Sequence, residues 1–181
     1  REYERTSTTV MNSYLTPLVR EYFSQLERKL EQSKRATRLQ MMQSNGGLVR
    51  TERAAKFPIL TLLSGPAGGA MAAANLGQML GETHLLTLDM GGTSCDVTGV
   101  IDNDPDTRID FEIGGYAVSY PTIDIQTVGA GGGSIARVDE VGRLSVGPAS
   151  AGSDPGPACY GRGGELPTVT DANLVLGVYE V

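Results

Sequence analysis

The segment LLTLDMGGTSCDVTGV, Leu85 to Val100, decides how this chain is read. An apolar run carries one carboxylate, Asp89, and is followed by Gly91, Gly92, Thr93 and Ser94 before a second apolar run begins. Two short apolar runs split by Gly-Gly read as two strands with a break between them. A carboxylate at a strand tip is costly unless it finds hydrogen bonds or a cation. Mg²⁺ takes one or two carboxylates together with phosphate oxygens, so Asp89 is a candidate metal ligand. Gly91 and Gly92 allow a tight turn with no Cβ in the way. Their amides, with those of Thr93 and Ser94, would face one concavity, a nest of donors suited to phosphate. Asp96 is placed to orient that turn or to serve the metal. The same residues also allow a plain hairpin in which Asp89 hydrogen-bonds its own loop.

Upstream, Val10, Tyr14, Leu18, Tyr22, Leu26 and Leu30 recur every four residues, with Met11, Leu15, Val19 and Phe23 beside them. This spacing predicts a long amphipathic helix from Arg1 to about Arg35, within the segment 1–38. Pro17 either kinks that helix or restarts it with Thr16 as cap. A turn is expected at Ser44-Asn45-Gly46-Gly47. The stretch from Pro58 to Leu80 reads as a strand, a Gly/Pro bend and an Ala-rich helix from about Pro66. Downstream of the opening segment come a polar loop at Asn103–Asp106 and short strands through RIDFEI and TIDIQTV, which stop at GAGGG. A hairpin is expected around Glu140 to Gly142. An irregular Gly/Pro/Ser/Ala stretch follows, then a helix start with Thr170 or Asp171 as cap. The chain opens on a helix with no initiating Met and stops as a new element begins. Residues 39–181 are therefore expected to be continuous with 1–38 as one domain, cut at both ends.

Composition excludes several classes. The 15 Lys and Arg trail the 21 Asp and Glu, and the formal charge is −6, which speaks against a nucleic-acid partner or an anionic membrane surface. No apolar run approaches bilayer length and no signal peptide opens the chain. Two cysteines, Cys95 and Cys159, lie far apart, so neither a disulfide framework nor a structural zinc site is indicated, and a cytoplasmic setting fits. His84 is the single histidine, which rules out multi-His metal sites and reads as a surface or edge residue. No Walker A loop or G-x-S-x-G is present, and GAGGGSI misses the dinucleotide fingerprint because Ser134 stands where its last glycine would be. Glycine is the outlier: 24 of 181 residues, many in pairs or triplets that end apolar runs. A loop-rich β domain with a purely structural use of glycine would share that feature.

A helix of small residues leading into LLTLDMGGTS resembles the actin/Hsp70/sugar-kinase ATPase superfamily. Within it, MQSNGGL, SGPAGG, LDMGGTSCDV, TVGAGGGSIA, GPASAGSDPGPACYGRGG and TVTDANLVLG, in this order, resemble the hydantoinase A/5-oxoprolinase family. REYERTSTTVMNSYL at the start is similar to that family too, so the resemblance covers nearly the whole chain. It implies an α/β fold: an actin-like ATPase (ribonuclease H-like) domain with a mixed β-sheet, incomplete as given. It also implies a segment of an ATP-dependent hydrolase that opens a cyclic amide (hydantoin, 5-oxoproline or a similar lactam) through a phosphorylated carbonyl, with Mg²⁺ offsetting the developing charge.

On this resemblance Asp89 would hold the Mg²⁺, and Gly91, Gly92, Thr93 and Ser94 would contact the β- and γ-phosphates of ATP. Gly131, Gly132, Gly133 and Ser134 would line the same cleft from the facing strand end. Asp154 to Gly161 would border the substrate or a partner. Cys159 reads as structural rather than nucleophilic, Cys95 as packing, and Asp171 as a cap. The implied partners are a hydantoinase B-type subunit or fused domain and further copies in an oligomer. The matching subunit of an ATP-dependent ketone carboxylase is an alternative, as is a non-catalytic actin-like domain, although the latter would lack the DPGPACYG loop. The family carries a first D-x-G-G-T hairpin as well, and this chain holds one such motif. These 181 residues alone are thus expected to bind ATP weakly or not at all, and a tight Mg²⁺-dependent isotherm from them would contradict that.

Overall fold

The computed structural model describes residues 1–33 and 39–180. They form two compact units: Arg1–Thr87 with Thr98–Ile125, and Leu88–Val97 with Gln126 onward. Residues 34–38, which the expected helical segment includes, lie outside the described residues.

The first unit begins with α1 (Glu2–Gln32), one continuous helix that includes Pro17. Thr16 does not restart it: its hydroxyl donates back to the Asn12 carbonyl at 2.6 Å. Proline inside a helix costs about 3 kcal/mol or more. That penalty is outweighed by packing on both sides of it. Met11 joins a core of Ile59, Leu60, Phe111 and Val118, while Val19 and Phe23 join one with Val49 and Ala54. Asn12 adds an anchor, its Nδ2 donating to the Lys56 carbonyl and its Oδ1 accepting from the Ile59 amide, both at 3.3 Å. The helix carries two apolar stripes, and only one is inside. Phe23 is 4% exposed, whereas Tyr14 is 83% and Leu18 is 71% exposed. The every-fourth-residue stripe from Val10 to Tyr22, the more conspicuous in sequence, is the outer one.

β1 (Gln40–Met42) and β2 (Leu48–Arg50) form the hairpin expected at Ser-Asn-Gly-Gly, with Met41 opposite Val49. After α2 (Thr51–Lys56), residues Pro58–Thr61 make a buried 3-10 turn and not the expected strand. The reason lies 16 residues back. The Ser44 amide and hydroxyl both donate to the Leu60 carbonyl, and the hydroxyl accepts from the Leu63 amide, so Ser44 takes the bonds a strand neighbour would have made. α3 (Ser64–Leu80) starts two residues earlier than the sequence indicates. Ala67, Ala70, Ala74 and Gly77 form its buried stripe, and small side chains allow the close approach. It stops at Gly81, whose φ of +77° is the left-handed conformation that glycine adopts most cheaply.

β3 (Leu85–Met90) and β4 (Cys95–Ile101) bear out the two expected strands. β3 pairs with β4 alone among the described strands, and Leu86 and Leu88 are exposed on what the sequence presents as a buried strand. β5 (Asp104–Pro105) continues the first unit on the far end of β4, and β6 (Thr107–Ile113) and β7 (Tyr116–Ile123) form a long hairpin. The Thr8 hydroxyl of α1 accepts from the Ser119 amide of β7 at 2.9 Å.

In the second unit β8 (Gln126–Val128) pairs with the start of β4, Cys95 facing Val128 and Asp96 facing Thr127. β9 (Ser134–Val138) and β10 (Leu144–Ser150) make the hairpin expected around Glu140–Gly142. α4 (Val169–Val175) is the last helix of the described chain. Helices alternate with strand ladders, all antiparallel where the register is described, in a mixed α/β chain. No described helix is long and apolar enough to cross a membrane.

Candidate functional site

The bend between β3 and β4 is built from few bonds. The Gly91 amide donates to the Ser94 carbonyl at 2.9 Å and closes the turn. The amides of Gly92, Thr93 and Ser94 make no hydrogen bond among the described residues, and Gly92 and Thr93 are exposed. Asp89, one residue before the end of β3, is exposed too, and its carboxylate has neither a hydrogen bond nor an ion pair among them. Three unengaged donors and an unpaired acid therefore sit within six residues. Their chemistry is complementary to a phosphate and a hard cation.

Underneath lies the second glycine block. The Gly132 amide donates to the Gly91 carbonyl at 2.9 Å, and the Gly133 amide to the Gly92 carbonyl at 2.7 Å. A Cβ on Gly131 would come within 2.5 Å of the Thr93 nitrogen and 2.6 Å of the Ser94 nitrogen, so only glycine lets this loop pass against the bend. Ser134, wholly buried, holds the loop from inside, its hydroxyl accepting from the Gly131 amide at 2.8 Å. The structure thus brings Gly131, Gly132, Gly133 and Ser134 to the bend, as a shelf whose Gly132 and Gly133 amides are already engaged by the bend's own carbonyls.

Asp96 is not unpaired. Its Oδ1 accepts from the Thr127 hydroxyl at 2.6 Å, across the β4–β8 pair. Thr127 opens the TVGAGGGSIA block, but its place opposite Asp96 is found only from the pairing register. Cys95 is buried, as its packing role requires, and His84 is exposed beside Thr83 and Asp102. No group of three or more metal-ligating side chains exists among the described residues. A divalent ion here would therefore be held by Asp89 with oxygens of a bound phosphate, which is how Mg²⁺ is commonly held.

The helix cap differs from the two expected residues. Thr168 is the N-cap and Asp171 its N3 partner, a reciprocal capping box. The T-x-x-D spacing of TVTD signals it. Asp171 does more, because its carboxylate also accepts from the Cys159 amide at 2.7 Å. Burial alone would raise its pKa, but the donors from Cys159 and Thr168 outweigh burial and hold the carboxyl well below the usual range. The same contact acts in reverse on Cys159, whose thiol donates to Asp171 and is pushed up. A nucleophilic cysteine needs the opposite shift. Cys159→Ser is thus expected to retain turnover in the assembled enzyme. At pH 8, Cys159 should react with iodoacetamide more slowly than a free cysteine, with its pH profile displaced upward. A fast, low-pH thiol would overturn this assignment.

The sequence model of the hydantoinase/oxoprolinase family matches residues 5–180. The alpha subunit of caprolactamase from Pseudomonas jessenii is 45% identical over 98% of this chain and 25% of its own length. The crystal structure of the ATP-dependent caprolactamase from the same organism superposes with a TM-score of 0.82 and 42% identity, over 100% of this chain and 26% of that one. A nucleotide-free acetone carboxylase, from work on ATP-dependent acetone carboxylation, matches with a TM-score of 0.76 and 31% identity, covering 99% of this chain and 25% of that one. The chain thus spans about a quarter of the length of these proteins. Ordered motifs, fold and sequence agree over nearly every described residue, and the chain belongs to the hydantoinase/oxoprolinase family.

Proposed function

We propose that this chain is the phosphate-binding segment of an ATP-dependent hydrolase that opens a cyclic amide. The observation that carries the reading is the Gly91–Ser94 bend, exposed from Gly91 to Thr93, with three unengaged amides beside an unpaired Asp89. Asp89 holds Mg²⁺ and the amides of Gly92, Thr93 and Ser94 hold phosphate oxygens. Gly131 to Ser134 keep the bend in shape, and Asp96, through Thr127, fixes the start of β4 behind it. When bound, Mg·ATP supplies a transferable phosphoryl group that makes an amide carbonyl oxygen a good leaving group. Donors aligned before reaction need no reorganisation as charge develops, which is what a rigid shelf under a short bend provides. The similarity to a lactam-opening enzyme favours a cyclic amide substrate. The likeness to acetone carboxylase supports a second reading, activation of a ketone with bicarbonate. A relative named as an alpha subunit supports assembly with a second, B-type component in an oligomer.

Phosphate release by the assembled enzyme tests the choice. The panel is caprolactam, 5-oxoproline, hydantoins, and acetone or acetophenone with bicarbonate. Release stimulated by a cyclic amide, with the ring-opened acid as product, is expected. Release that requires both ketone and bicarbonate would replace the first reading by the second.

A further inference from the structure

Thr170 and Asp171 are neighbours whose bonds run to different loops of the second unit. The Thr170 amide and hydroxyl both donate to the Gly132 carbonyl, at 2.8 and 2.9 Å. The amide on the other side of Gly132 donates to the Gly91 carbonyl of the bend. One residue further on, the Asp171 carboxylate accepts from four groups besides the Cys159 thiol. Two belong to the capping box, the Thr168 amide and hydroxyl, each at 2.8 Å. The other two are the amides of Ala158, at 3.3 Å, and Cys159, at 2.7 Å, in the DPGPACYG loop. A helix cap needs only the first pair. The second pair holds a segment that buries little side chain of its own: Ala158, Cys159, Tyr160 and Gly161 are all exposed. Ordering an exposed irregular segment costs about 1–2 kcal/mol of backbone entropy per residue, and here the offsetting burial is confined to Gly156 and Pro157 just before it. The loop is further closed by its own glycines, since any side chain at Gly164 would collide with the Gly156 carbonyl.

We propose that Thr170 and Asp171 are a positioning pair for the reaction, tying the Ala158–Gly161 turn to the phosphate-binding bend so that this turn borders the carbonyl substrate. The inference rests on the reading of the bend given above. Thr170 positions the bend through Gly132, Asp171 positions the substrate-side turn, and neither touches the reacting atoms.

The test uses the assembled enzyme with a cyclic amide it turns over. Asp171→Asn keeps the side chain's shape and removes the charge. Its KM for the amide should rise about tenfold or more, in line with loss of an outer-sphere partner, while KM for ATP stays within about twofold. Thr170→Val keeps the backbone bond and removes the hydroxyl, and it should raise KM for ATP several-fold with the amide KM unchanged. The split between the two KM values is the readout that a merely structural role would not move, and iodoacetamide labelling of Cys159 reports the Asp171 contact itself. Asp171 is the charged group facing that thiol, so Asp171→Asn should shift the labelling profile to lower pH, and Thr170→Val should not. If the Asp171 variant does not fold, labelling of the unaltered enzyme decides: saturating cyclic amide should slow it at least about tenfold.

Variants that lower the melting temperature but leave both KM values unchanged would overturn the proposal. So would labelling of the unaltered enzyme that the substrate does not affect. Failure of the bend reading is a separate result, Mg·ATP binding that survives Asp89→Asn.

Discussion

Asp89→Asn in the full-length, assembled enzyme should abolish Mg·ATP-dependent turnover while the protein still folds. The substitution removes one charge from an exposed side chain that has no partner among the described residues, so stability should change by no more than about 0.5 kcal/mol. The catalytic effect should be far larger. Loss of a group that merely orients a metal ligand typically lowers affinity or activity by about 10–100-fold. Asp89 is proposed as the ligand itself, so the loss should exceed about 100-fold and should show as weaker Mg²⁺ and ATP binding by calorimetry. Because an amide oxygen is a poorer ligand for a hard cation than a carboxylate, raising Mg²⁺ should restore part of the binding. Normal ring opening by the variant would remove Asp89 from the site.

The second large effect separates the two glycine blocks. Gly131→Ala would place a methyl against the Thr93 and Ser94 nitrogens, backbone atoms on which it cannot be accommodated by a rotamer change. Overpacking of this kind costs about 1–3 kcal/mol, and the bend must move to relieve it. A lower melting temperature together with loss of nucleotide binding is expected. Gly92→Ala is the contrasting variant. A Cβ there meets nothing within 4 Å, so the melting temperature should hold. If the bend cradles phosphate, that methyl intrudes on the ligand, and ATP affinity should fall about tenfold or more, equivalent to 1.4 kcal/mol. Two Gly→Ala changes in loops that touch would then both weaken nucleotide binding, while only the Gly131 change would lower the melting temperature. Equal ATP affinity in the Gly92 variant and the parent would argue that the bend is structural.

Much of this chain was readable from short-range signals. The strands flanking Asp-Met-Gly-Gly-Thr-Ser, the hairpins at Ser-Asn-Gly-Gly and near Gly142, and the Ala-rich helix all follow from residues within a few positions of one another. Periodicity and turn chemistry act at that range. The helix cap is an intermediate case: the residues around the helix start offer Thr170 or Asp171 as cap, whereas Thr168 caps, at a T-x-x-D spacing visible in the sequence.

What lay beyond local reading depends on partners distant along the chain. Two apolar stripes run along α1, and nothing in their spacing says which is inside; the choice was made by Ile59, Val49 and their neighbours, far along the sequence. Pro58–Thr61 is a turn because Ser44 takes up its backbone groups. Gly131 to Ser134 are expected to line the cleft beside the bend, but the bonding of the Gly132 and Gly133 amides to the bend's own carbonyls is a pairing across about 40 positions that no local pattern encodes. The residues alone therefore specified the elements, the family and the chemistry available at the bend. Only the folded chain specified which donors remain free, because each backbone amide forms its bond with whatever acceptor the fold brings within reach, and a ligand can use only those left over.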